Sequence, residues 1–190
     1  MLISDFINGY TKIFADASGT IEYLSTDSDI QQAQTSVVAE AELNKVDFLN
    51  PVPATDPTEI EQRLGYRLTW GALDLYLKNQ NDNPISPVSV MAAKNQSGNI
   101  VGSAMIQNVD ANVVIHYQGS IYTKQGIGCS LLAETFKQAA NNNLGVALKS
   151  EQLASGFWGK VGFTQTGLDG EFPTYSIDNK TITQILQGIF

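Results

Sequence analysis

Apolar residues recur at helical spacing from the start of the chain, in Leu2, Ile3, Phe6, Ile7, Tyr10, Ile13 and Phe14, before "DASG" interrupts the run. Leu2, Phe6, Ile13 and Phe14 can share one helical face, so residues 1–20 are expected to form a helical packing extension. Ile21–Leu24 reads as a strand. Ile30, Ala33, Val37, Val38 and Ala41 then return every three or four positions, and Ser28 with Gln31 has capping-box spacing, which predicts a helix. "KVDFLNPVPATDP" follows as a proline-broken loop. Its end sets Asp56 as N-cap, Pro57 at the first helical position and Glu59 three residues after the cap. The helix begun there carries Ile60, Leu64 and Leu68 and is expected to break near Gly65 or Gly71. "NQNDNP" marks a turn.

The pattern then changes to short apolar runs. Val88–Ala93, Ile100–Gln107 and Val113–Tyr117 are separated by "NQSGN" and "NVDAN", which are hairpin-type turns, so an antiparallel meander is expected. A helix from Gly126 follows, with Leu132, Phe136 and Ala139 or Ala140 on one face. "GVALK" reads as a strand, "EQLASGFWGKVG" as a short helix ending at Gly162, and Phe163–Thr166 and Pro173–Ile177 as the last strands. The final "TITQILQGIF" reads as a tail that packs internally or against a second subunit, so a homodimer is allowed. With no internal repeat and no low-complexity linker, one α/β (α+β) domain is expected over 21–180, with the extension before it and a tail at 181–190.

Composition narrows the class. A chain of 190 residues with 43% hydrophobic and 16% charged residues can bury a sizeable core. Cys129 is the single cysteine, which excludes an internal disulfide framework and a cysteine-based zinc site; no metal is expected. "MLISDFINGY" lacks a basic segment and is a poor signal peptide. No apolar run approaches the roughly 20 residues of a membrane helix, so a soluble cytoplasmic protein without a membrane partner is expected. A net charge of −8 argues against nucleic acid and suits cationic partners such as amines, although solubility alone accounts for it equally well.

The chemistry concentrates in "YTKQGIGCSLL". A helix N-terminus leaves backbone N–H groups unpaired and carries a partial positive charge, so it can hold a pyrophosphate. Glycines there let a ligand approach the main chain, and Lys124 adds a cation. A glycine-started helix with no ligand fits these residues as well. A dinucleotide fingerprint fails because Leu131 stands where its third glycine belongs, and a P-loop fails because Gly128 precedes Cys129.

Thr123-Lys124-Gln125-Gly126-Ile127-Gly128 resembles the acyl-CoA pyrophosphate loop of the GNAT superfamily of N-acetyltransferases, Arg/Gln-x-x-Gly-x-Gly/Ala. "ASGFWGKVGF" is similar to that family's closing segment at Ala154, Phe157, Gly162 and Phe163, and "IEYLSTDSDI" to its first strand and helix cap. The resemblance covers about Ile21 to Ile177. It implies a mixed, mostly antiparallel central sheet of six or seven strands flanked by about four helices, splayed at strands 4 and 5. It also implies acyl transfer, most simply from acetyl-CoA, to a small amine or a protein amino group by direct attack through a tetrahedral intermediate. The main chain of Lys124, Gln125, Gly126, Ile127, Gly128 and Cys129 would hold the pyrophosphate, with Phe157 and Trp158 also on the cofactor. The Gln118 N–H would polarise the thioester carbonyl.

Three positions depart from the family pattern. Thr123 replaces Arg or Gln, Glu151 stands where an Asn often contacts the pantetheine region, and Trp158 replaces the Tyr that frequently serves as general acid. A thiol of pKa about 8.5 leaves without that acid. Tyr117 and Tyr122 are candidate substitutes, and packing residues on the plainer reading. His116 is a candidate general base on the strand leading to the splay, and a water chain ending on Glu151 is another. Cys129 would have its pKa lowered by the helix N-terminus. Asp47, Asp56, Glu59 and Glu61 could attract a cationic amine, with Asp56 and Glu59 already explained as capping groups. The alternative function is a catalytically weakened GNAT-fold module that binds acyl-CoA or regulates.

Overall fold

The apolar runs pair into one seven-stranded sheet. A computed structural model describes residues 1–50, 54–81 and 88–189. β1 (Thr20–Leu24), β2 (Val88–Lys94), β3 (Ile100–Val109) and β4 (Asn112–Ser120) run antiparallel to one another. β4 then pairs in parallel with β5 (Gly145–Lys149), and β7 (Phe172–Ile177) and β6 (Thr164–Asp169) complete the order β1-β2-β3-β4-β5-β7-β6. Among the described residues six helices cover it: α1 (Ile3–Asp16), α2 (Asp27–Leu43), α3 (Pro57–Asn81), α4 (Ile127–Asn141), α5 (Ser155–Lys160) and α6 (Asn179–Leu186).

Helices on both faces explain why β2 and β3 read as continuous apolar runs rather than alternating ones. Met91 and Ala93 enter a core with Ile7, Phe14, Leu131, Phe136 and Ile182, from α1, α4 and α6. Their neighbours Val90 and Ala92 enter a second core with Ile30, Val37, Tyr66 and Leu73, from α2 and α3. The two-residue period of the strand thus feeds two separate cores.

Several local expectations change. On α1 the inward residues are Ser4, Ile7 and Phe14, while Leu2 and Ile13 stay exposed, because the helix rests on α4 along the Ile7–Phe14 line. The cap of α2 is Thr26 rather than Ser28: its hydroxyl accepts from the Asp29 N–H at 3.1 Å and donates to the Asp29 carboxylate at 2.6 Å. Asp56 does cap α3, accepting from the Thr58 N–H at 3.0 Å.

The helix α3 runs unbroken through Gly65 and Gly71. These glycines serve a close approach instead. A Cβ at Gly65 would collide with the Ser120 carbonyl, and one at Gly71 would stand 3.0 Å from the Tyr117 ring. Of the expected turn at 79–84, residues 79–81 belong to α3; 82–84, like Pro51 and Pro53 of the proline-broken loop, lie outside the described residues. Residues 179–186 form α6, capped by Asp178, with Ile182 and Ile185 buried. No helix among the described residues is long and apolar enough to cross a membrane.

Candidate active site

The sheet opens between its two parallel strands. β4 and β5 pair only from Asn112–Gly145 to Ile115–Leu148, whereas β4 continues to Ser120. The divergence coincides with a bulge. Met105 pairs with Tyr117 and Ile106 with Ile115, which leaves His116 as the extra residue. Beyond the bulge the register is regular, and the Ile121 N–H donates to the Val101 carbonyl at 2.9 Å. Antiparallel bonding alternates, so Gly119–Ser103 is a bonded pair and Gln118–Ala104 is not. The main-chain N–H of Gln118 therefore points away from β3, into the gap that β5 leaves.

The opened end of β4 is held from the other face by α3. A Cβ at Gly119 would collide with the main chain of Leu68 and Thr69, and the Ser103 hydroxyl donates to the Thr69 carbonyl at 2.5 Å. Glycine at 65 and 119 thus lets helix and strand main chains touch, which keeps this end of β4 fixed without β5.

A cavity of about 430 Å³ occupies the gap, with the start of α4 in its wall. Lys124 at φ 60° and Gly126 at φ 78° turn the chain into that helix. The first main-chain helical bond runs from the Ser130 N–H to the Gly126 carbonyl at 2.9 Å. The N–H groups of Ile127, Gly128 and Cys129 precede it and have no intrahelical acceptor. The Gln118 Nε2 donates to the Gly128 carbonyl at 3.1 Å, which ties the splayed strand to the first turn of α4.

The fold recurs in known structures. The PaiA N-acetyltransferase from Thermoplasma acidophilum, solved in complex with coenzyme A, is similar over 84% of this chain and 99% of its own, at 16% identity and a TM-score of 0.54. An acetyltransferase of the GNAT family from Staphylococcus aureus is similar over 85% and 99%, at 14% identity and 0.54. A spermidine N-acetyltransferase from Vibrio cholerae, in complex with CoA and spermine, is similar over 87% and 98%, at 14% identity and 0.50. The chain has the GNAT fold. No protein-family model and no curated protein matches the sequence.

The two glycines of the GNAT-like loop do different work. A Cβ at Gly126 would collide with the Tyr10 carbonyl of α1, so this residue is small because α1 lies against it and because its φ is positive. Gly128 is open: the nearest atoms to its Cβ position, in Gln118 and Phe157, are 3.9 Å away, both on cavity-lining residues. The loop is therefore open toward the cavity at Gly128, whereas Gly126 is closed off by α1.

Of the residues that the sequence singles out, Gln118, Lys124, Gly126 and Ile127 line the cavity, as do Gly128, Cys129, Phe157 and Trp158. Gln125 is exposed on the loop outside the lining. His116 is also outside; its Nε2 lies 2.8 Å from Gln107 Oε1, and burial holds its pKa below the usual histidine value. The Tyr117 ring packs over Gly71 on the α3 face. Glu151 lines an adjoining cavity of about 380 Å³ with Arg63 and Arg67, and the two cavities share Leu64 and Leu153.

Trp158 is 6% exposed and packs edge-on against Phe157 and Phe163, with ring centroids at 5.0 and 5.3 Å. Its indole N–H and the Gln118 Oε1 are buried with no partner among the described residues. Tyr122 lines the cavity, but its hydroxyl donates to the Glu40 carboxylate, and burial together with that carboxylate pushes its pKa up to about 12. Burial pushes the Cys129 thiol up to about 11, the reverse of the lowering expected at a helix N-terminus.

Among the four acidic residues expected to draw an amine, Glu61 lines the main cavity. Asp47 accepts from the Asn50 N–H and Nδ2, and Glu59 pairs with Arg63 at 2.5 Å. Phe6, Tyr10 and Lys160 also line the cavity, and sequence reasoning missed them. The only signal was the i, i+4 spacing of the two aromatic residues. No group of three or more His, Cys, Asp or Glu among the described residues is placed to hold a metal.

Proposed function

We propose that the protein is an acyl-CoA-dependent N-acyltransferase that passes an acetyl group from acetyl-CoA to a primary amine. The observation that carries this reading is the gap between β4 and β5, which runs from the open N-terminus of α4 to the inward-pointing N–H of Gln118. The N–H groups of Ile127, Gly128 and Cys129, with Lys124 beside them, suit a pyrophosphate. An extended pantetheine arm fits beside the unpaired edge of β4, with Phe157 and Trp158 as its apolar wall. The Gln118 N–H then meets the thioester oxygen where negative charge develops during attack.

The amine enters from the adjoining cavity, across Leu64 and Leu153, and holding both substrates in one gap supplies proximity. Glu151 in that cavity takes the amine's proton through water, in preference to His116, which lies outside and is bonded to Gln107. The leaving thiolate departs without an acid. Tyr122 is engaged with Glu40, and a tyrosinate beside that carboxylate would be strongly disfavoured. Small polyamines belong among the acceptors to try, because Glu61 lines the main cavity and a spermidine acetyltransferase shares the fold. Arg63 and Arg67 beside Glu151 also suit an acceptor that carries an anionic group. A cytoplasmic site of action follows from the donor.

Calorimetry with acetyl-CoA, followed by free-thiol release over an amine panel that includes spermidine, tests the reading. Saturable binding and amine-dependent thiol release are expected; absence of acetyl-CoA binding would end it. Trp158 favours a second reading, an acyl-CoA-binding module with little turnover. Binding without thiol release on any amine would establish that alternative, and a Trp158→Tyr variant that gains rate would mark a site tuned down but intact.

A further inference from the structure

Helix α1 precedes the first strand, yet it forms part of the cavity. Its Tyr10 carbonyl rests on Gly126 at the start of α4, and its Ile3 side chain lies 3.2 Å from the Cβ position of Gly162, just beyond α5. The helix therefore spans from the end of α5 to the loop that opens α4. Ile7 and Phe14, both buried, anchor it to the core beneath. Between the two ends, Phe6 and Tyr10 stand one turn apart on one face, with ring centroids at 4.8 Å and planes at 51°. Both rings are half-buried and both line the cavity, together with Lys124 and Lys160.

A half-buried aromatic pair beside two lysines has the chemistry to hold a nucleotide: the rings offer faces to a base and the ammonium groups meet phosphate. The arrangement also lies at the appropriate end of the cavity. The arm of an acyl-CoA runs from α4 toward Gln118, so its adenosine must leave the pyrophosphate in another direction, and α1 borders the loop at Gly126.

We propose that α1 is the nucleotide wall of this site, with Phe6 and Tyr10 holding the purine of the acyl-CoA and Lys124 and Lys160 its phosphates. The inference rests on the acyl-CoA reading above and deepens it. It gives the helix before β1 a ligand role besides packing, and it offsets the Thr123 found where the family has Arg or Gln.

Calorimetry with two probes tests it: coenzyme A, and 4′-phosphopantetheine, which keeps the arm and one phosphate but lacks the nucleotide. Wild type should bind coenzyme A more tightly than phosphopantetheine. Phe6→Leu, which keeps an apolar side chain and removes the ring, should weaken coenzyme A about ten-fold, in line with base–aromatic stacking, and leave phosphopantetheine unchanged. Tyr10→Leu should do the same, and circular dichroism of both variants should match wild type. Unchanged or tighter coenzyme A binding by the variants would overturn the proposal, as would an equal loss for both probes. Wild type that binds phosphopantetheine as tightly as coenzyme A overturns this proposal alone. Wild type that binds neither overturns the acyl-CoA reading with it.

Discussion

On the α4 side of the cavity, the polar groups are chiefly main-chain ones, the N–H groups of Ile127, Gly128, Cys129 and Gln118, with the Lys124 and Lys160 side chains beside them. On the α3 side they are charged side chains, with Glu61 in the main cavity and Arg63, Arg67 and Glu151 in the adjoining one. Main-chain groups are placed by the fold and resist substitution. Charged side chains can be exchanged without disturbing an element. The first side is therefore suited to a constant part shared by many donors, and the second to an acceptor that differs from protein to protein.

The comparison breaks most severely at Gly126. Gly126→Ala places a methyl group on the Tyr10 carbonyl at a positive φ, so stability should fall by about 3 kcal/mol or more, read by chemical denaturation. Retention of wild-type stability would mean that α1 does not lie against the loop. On the other side, Glu151→Gln should lower kcat about 100-fold, within the range of a lost general base, and leave acetyl-CoA affinity unchanged. An unchanged kcat would remove Glu151 from the proton path.

A smaller effect separates both sides from the remainder of the fold. Asp178 accepts from the Thr181 N–H at 2.7 Å, and that bond lowers its pKa. Asp178→Ala should cost about 1 kcal/mol of stability at neutral pH with coenzyme A affinity unaltered. The folded value is the lower one, so the carboxylate's contribution is complete above the unfolded value of about 3.9 and is lost as pH falls through the folded value. A cost that persists undiminished in acid would locate the effect in packing rather than in the cap.

The main-chain side was the more legible in the sequence, because a missing side chain is itself a signal. Gly126 and Gly128 mark the start of α4, and the polar turns at 95–99 and 108–112 separate β2, β3 and β4 correctly. Misreadings arose where a glycine answers a tertiary contact. Gly65 and Gly71 look like helix breaks, since the strand that needs their missing side chains lies about fifty residues away in sequence. Gly126 marks the start of α4 as read, but its contact with Tyr10, even farther off in sequence, left no local signal. Helix α6 was missed because Thr181, Ile182 and Thr183 favour extended structure, although Asp178 and the Ile182–Ile185 spacing carry a helix signal. The role of α1 at the cavity was invisible, because periodicity shows that a helix has an apolar side but not what that side meets.

Gly128 tests the central claim most directly, since its Cβ position is open and next to cavity-lining residues. Calorimetric titration of acetyl-CoA into wild type and Gly128→Glu, with thermal unfolding of both, separates binding from folding. The account predicts near-equal melting temperatures and an affinity at least about 100-fold weaker in the variant, as a carboxylate set against a pyrophosphate requires. Equal affinity for acetyl-CoA in the two proteins would contradict it.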